Sequence, residues 1–177
     1  MDFLSSVDKR EVCCYNDCSC AEIIGTRIEN RRWTKMSENN NEYDKSFLNK
    51  RVLLVEDNEI NAEVMTSMLE MKNIKVEVVY DGEEAVDKFE KSPAGYYNAI
   101  LMDIEMPVMT GVEASKVIRN LHKQDAMTIP IISVTANSIF ENVFFSRKYG
   151  MDDYIAKPIE ADNLFAVLKK WFDKYSK

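Results

Sequence analysis

The sequence predicts an α/β fold: an open, doubly wound sheet of five parallel strands with helices on both faces. Three observations carry that reading. From Lys50 onward, short apolar runs alternate five times with segments of helical periodicity, and strand–helix alternation implies parallel strands joined by right-handed crossovers. The innermost runs are continuously apolar, as strands buried on both faces are. Four of the runs also lead into polar residues that a core would not select: Glu56-Asp57, Asp103, Thr135 and Lys157.

The first 49 residues read differently from the rest. They hold few aliphatics and a polar tract, Ser37-Glu38-Asn39-Asn40-Asn41-Glu42, which cannot bury enough apolar surface to offset its ordering entropy. Residues 1–49 are therefore expected to be a mostly disordered tail, with local helix around Glu22–Trp33, ahead of a folded domain over 50–177. All four cysteines, Cys13, Cys14, Cys18 and Cys20, lie in this tail. Their spacing is poor for zinc and the single histidine, His122, is far away, so they read as free thiols. The net charge of −7 argues against nucleic acid or an anionic membrane as partner. No run approaches the ~18 apolar residues of a span, and the start lacks a secretory h-region. A cytoplasmic location is expected.

Within the domain, Val52-Leu53-Leu54-Val55 is the first strand. Ile60, Val64, Met65, Met68 and Leu69 recur at helical spacing behind an Asn58 N-cap. Lys75–Val78 alternates, which suits a strand near the sheet edge; Gly82 marks a turn, and a helix follows through Ala85, Val86 and Phe89. Asn98–Asp103 is the third strand and Val112–Leu121 the third helix. Ile129–Val134 is the fourth strand, with Pro130 tolerated only near its start. Ser138–Tyr149 reads as a helix closed by Gly150, Tyr154–Ala156 as the fifth strand, and Leu164, Val167, Leu168, Trp171 and Phe172 as an amphipathic last helix. No second domain is expected after it.

In a parallel sheet all the strand ends point to one edge, where open α/β sheets bind ligands. The sequence thus gathers three carboxylates, a hydroxyl and an ammonium there. Clustered carboxylates repel unless a cation neutralises them. With only oxygen ligands near, that cation is a hard one, Mg²⁺ or Mn²⁺. Asp103 then reads as a nucleophile for a phosphoryl group. Lys157 offsets charge on the equatorial oxygens, and the Thr135 hydroxyl holds the product phosphate.

These motifs, Val-Glu-Asp-Asn-Glu-Ile-Asn at 55–61, Met-Asp-Ile-Glu-Met-Pro at 102–107, Thr-Ala-Asn at 135–137 and Tyr-Ile-Ala-Lys-Pro at 154–158, resemble the receiver domain of two-component response regulators. The wording is similar to receivers of hybrid histidine kinases. The resemblance implies a flavodoxin-like strand order 2-1-3-4-5. It makes Asp103 the phosphoacceptor, and it gives Mg²⁺ to Glu56, Asp57, Asp103 and the backbone carbonyl of Glu105. It implies phosphoryl binding by Thr135 and Lys157, a switch through Thr135 and Tyr154, a cis Lys157–Pro158 bond, and tuning of phosphate lifetime by Glu105 and Asn137. Glu56 and Thr110 depart from the family's commoner aspartates.

The implied function is a signalling module that takes a phosphoryl group from a phosphohistidine, on a histidine kinase or a histidine phosphotransfer protein. Self-phosphorylation and slow autodephosphorylation are expected, with no turnover of an external substrate. A downstream protein is expected on the face formed by the Ser138–Tyr149 helix, the fifth strand and the last helix. Ile139, Phe140, Val143, Phe144 and Phe145 spread over about 240° of that helix, wider than a core stripe. Two other readings stand beside this one: a phosphatase resembling the haloacid dehalogenase group, and a non-phosphorylated interaction module on the same fold.

Overall fold

The apolar runs of the sequence become neighbouring strands of one sheet in the computed structural model, which describes residues 44–136 and 148–175. Its elements are a single 3₁₀ turn (Lys45–Phe47), β1 (Arg51–Val55), α1 (Glu59–Glu70), β2 (Lys75–Val79), α2 (Gly82–Lys91), β3 (Ala99–Asp103), α3 (Gly111–Asn120), β4 (Ile131–Thr135), β5 (Asp153–Ala156) and α4 (Ala161–Tyr175). The five strands are all parallel, in the order β2-β1-β3-β4-β5. This is the fold and the strand order that the sequence implied.

The continuous apolar runs are the central strands: every residue of β3 and β4 is buried, whereas the edge strand β2 is exposed at its start. Successive side chains alternate between the two faces of the sheet. Val52, Leu54, Leu101, Ile132 and Val134 meet Met65 and Leu69 of α1 and Leu164, Leu168 and Phe172 of α4. Leu53, Val55, Ile100, Met102 and Ile131 meet Ala85 and Phe89 of α2 and Ala114 and Ile118 of α3. The two cores pack both faces of the sheet, and the strand ends are positioned by that packing.

Three local expectations are corrected. In α1, Ile60 and Val64 do not face the core; they are 73% and 48% exposed. The buried stripe is Ala62, Met65 and Leu69, and at 100° per residue Ile60 and Val64 fall on the opposite side of the helix. Gly82 is not the turn but the first residue of α2, capped by the Asp81 side chain, which accepts from Glu84 N at 2.8 Å. Pro130 precedes β4 instead of lying inside it, since pairing needs an N–H it lacks; its carbonyl still accepts from Ile100 N at 2.8 Å.

Asn58 caps α1 as expected, accepting from Ile60 N and Asn61 N. Ahead of residue 50, Phe47 is buried against the rings of Phe165 and Phe172, and Lys169 Nζ donates to Asp44 Oδ2 at 2.6 Å. The cysteine-bearing tail up to residue 43 and the expected helix over Ser138–Tyr149, up to residue 147, lie outside the described residues. Gly150, placed to close that helix, has φ +82°, the left-handed conformation that a C′ glycine takes. Among the described residues, no helix is long and apolar enough to cross a membrane.

Candidate functional site

Parallel strands in step bring their carboxyl ends to one edge. Val55 pairs with Met102, Asp103 with Val134, and Thr135 with Ala156. Glu56, Asp103, Thr135 and Lys157 therefore follow one another across four adjacent strands. Lys157 N donates to the Thr135 carbonyl at 2.8 Å, which extends the β4–β5 pairing by one residue and fixes where the lysine starts.

The side chains then converge. One carboxylate oxygen from each of Glu56, Asp57 and Asp103 lies within 4.8 Å of the others. Glu56 is 1% and Asp103 6% exposed, whereas Asp57 stands open to solvent. Lys157 Nζ donates to Asp103 Oδ2 at 2.6 Å and to Glu56 Oε2 at 2.8 Å and Oε1 at 3.1 Å. Burial works against the lysine's charge, but its hydrogen bonds to Asp103 and Glu56 outweigh that, and its pKa lies above the ordinary lysine value. One ammonium thus serves two buried carboxylates, leaving the cluster with a net negative charge.

Such a donor set fits a hard divalent cation: three carboxylates at the ends of two adjacent strands, all oxygen, with one of them at the surface as a way in. Thiols and imidazoles are not among them. The Asp103 carboxylate is held at both oxygens, by Lys157 at Oδ2 and by the backbone N–H of Glu105, which donates to Oδ1 at 3.1 Å.

The other residues singled out from the sequence lie as follows. Thr135 is buried at the end of β4. Tyr154 is half-buried on β5, opposite Ser133. The Glu105 side chain is exposed. The Lys157–Pro158 bond is cis. Thr110, one of the two departures from the family pattern, caps α3 in a reciprocal box: its hydroxyl accepts from Glu113 N, and Glu113 Oε2 accepts from Thr110 N. Asn137 lies outside the described residues.

Two contacts at the site were not drawn from the sequence. Asn61 Nδ2 donates to Glu56 Oε1 at 2.7 Å; the signal was its place as the last residue of the motif at 55–61. Gly111 lies against Asp103 itself, where an added Cβ would stand 2.0 Å from the Asp103 carbonyl oxygen. No side chain can occupy that place without moving the strand end that carries the aspartate.

Comparison with known proteins follows the same lines. The response regulator receiver domain matches residues 52–169. Hybrid signal transduction histidine kinase L of Dictyostelium discoideum is 36% identical over 143 residues, which cover 78% of this chain but 8% of that protein. The chain thus spans a small part of the length of such relatives. Among solved structures, the receiver domain of sensor histidine kinase PA1611 from Pseudomonas aeruginosa PAO1, with a magnesium ion in its active-site cleft, is 37% identical at a TM-score of 0.61. That match covers 70% of this chain and 98% of that one. The receiver domain of Ssk1 from Saccharomyces cerevisiae, crystallised with the histidine phosphotransfer protein Ypd1, is in a match at 30% identity and TM-score 0.61, covering 69% and 88%.

Proposed function

The chain belongs to the response regulator receiver domain family, and from that premise we propose that it is a phosphoacceptor signalling module working through Asp103. The observation that carries the reading is the convergence of Glu56, Asp57, Asp103 and Lys157 on one edge of the sheet. The donor is a phosphohistidine on a histidine kinase or a histidine phosphotransfer protein. Its support is the kinase relatives and the Ssk1 receiver solved with such a protein.

An Asp103 carboxylate oxygen attacks phosphorus; the O–P bond forms as the P–N bond breaks, and the imidazole leaves with the bonding pair. Glu56, Asp57, Asp103 and the backbone carbonyl of Glu105 would hold Mg²⁺, or Mn²⁺ in its place. When bound, that ion neutralises charge on the transferring oxygens. Lys157 gives up Asp103 Oδ2 and takes a phosphoryl oxygen instead. The Thr135 hydroxyl donates to another. Glu105 and Asn137 flank the acyl phosphate and set its lifetime.

The output follows from what the new group pulls on. Thr135 drawn toward the phosphate opens space that Tyr154, on the adjoining strand, turns to fill. The equilibrium then shifts toward a form whose face around β5 and α4 receives a downstream protein. Residues 50–177 act as the receiver, with Asp44–Phe47 packed onto its last helix as part of the same unit. The haloacid dehalogenase reading has no support: the acid it needs two residues on, Glu105, is exposed and stands outside the three-carboxylate group found among the described residues.

The test is labelling with acetyl phosphate and Mg²⁺, read by intact mass. Wild type gains one phosphoryl group; Asp103→Asn, or wild type with excess chelator, gains none. An equal adduct on Asp103→Asn would end the proposal.

A further inference from the structure

We infer that Asn61 is a positioning residue that holds Glu56 in place and thereby sets the divalent-cation affinity of the site. The inference rests on the metal-assisted reading above and concerns a residue to which that reading gives no part.

Glutamate at position 56 has one more rotatable bond than the commoner aspartate, so its carboxylate needs more to hold it. Two groups do so. Lys157 bonds both oxygens and Asn61 Nδ2 bonds Oε1, at 2.7 Å. The two are not equivalent. Lys157 is shared with Asp103 Oδ2 at 2.6 Å, and phosphoryl transfer to Asp103 takes the lysine to a phosphoryl oxygen. Asn61 has no such second duty. It is a neutral donor, so it orients the carboxylate without cancelling the negative charge that draws the cation.

The backbone around Asn61 is fixed independently of the site. The Asn58 side chain accepts from Asn61 N at 3.2 Å, and the next residue, Ala62, is buried in the core. The amide is thus presented to Glu56 from the first turn of a helix anchored on the sheet. Residues that hydrogen-bond a metal's carboxylate ligands in this way fix ligand orientation, and their loss costs metal affinity rather than fold. Asn61 is itself exposed, so truncating it leaves no cavity.

The experiment is a Mg²⁺ titration of the full chain by calorimetry, with thermal unfolding of the metal-free protein alongside. Asn61→Ala should weaken Mg²⁺ binding by about tenfold with the metal-free midpoint unmoved. In a Glu56→Asp background, where the shortened carboxylate no longer reaches Asn61, the same substitution should change affinity by less than about twofold. Unchanged affinity in Asn61→Ala overturns the inference and leaves the phosphoacceptor reading intact, as does an equal loss in both backgrounds. Wild type that binds no Mg²⁺ overturns both.

Discussion

Two clusters of charge in this domain each centre on a glutamate bonded to a lysine and come to opposite ends. Toward the amino end of β1, Glu77 of β2 is surrounded by donors: Arg51 Nη1 at 2.7 Å, the Tyr96 hydroxyl at 2.7 Å, the Tyr97 hydroxyl at 2.8 Å and Lys88 Nζ at 3.3 Å. At the carboxyl edge, Glu56 and Asp103 divide one lysine, with Asp57 beside them. The first cluster has one acceptor and an excess of donors; the second has an excess of acceptors. Burial alone would raise the Glu77 pKa, but its hydrogen bonds to Tyr96, Tyr97, Lys88 and Arg51 bring it down to about 2. Glu77 is satisfied within the fold and has nothing left to offer a ligand. The carboxyl-edge cluster is completed only by something from outside, which separates a structural knot from a reactive site.

That contrast can be broken in graded ways. The largest effect is expected for Lys157→Ala, which removes the shared ammonium: labelling of Asp103 should slow by about a hundredfold. Mg²⁺ should bind at least as tightly, because the carboxylates lose a competing cation. Stopped labelling with weakened Mg²⁺ binding would mean that the lysine holds the cluster together instead of competing for it.

Glu77→Gln should do the reverse, costing about 1–2 kcal/mol in urea unfolding while leaving the labelling rate alone. Its pH dependence has a definite sign. The folded pKa of Glu77 is depressed from 4.5 to about 2, so its stabilisation is present above the unfolded value and fades as pH falls between the two. The difference between wild type and Glu77→Gln should shrink over that window; a difference independent of pH would show that the charge is not what matters. The smallest effect belongs to Thr110→Ala, which removes the capping box of α3 and should cost about 1 kcal/mol. If it also slows labelling, the cap is coupled to the Asp103 loop through Gly111, which touches the Asp103 carbonyl.

The carboxyl-edge cluster was legible in the sequence and the Glu77 knot was not. Acids at strand ends stand out because parallel topology sends every such end to one edge, so position along the chain already implies position in space. Glu77, in an alternating Lys-Val-Glu-Val strand, reads as an ordinary solvent-facing residue. Its partners come from β1, α2 and the loop before β3, and only packing brings them together.

Alternation of apolar runs and helical periods was enough to specify the sheet, its parallel strands and the edge to which they carry Asp57, Asp103, Thr135 and Lys157. These depend on element type and on the handedness of crossovers, both local in origin. The tertiary structure alone decided which side of α1 is buried, so that Ile60 and Val64 face water. It also decided that Asn61 reaches Glu56, and that Lys157 bonds a carboxylate 101 positions away. Periodicity sets the spacing of a helix's apolar residues but not the rotation at which the helix meets the sheet. Contacts between distant residues exist only once that rotation is chosen.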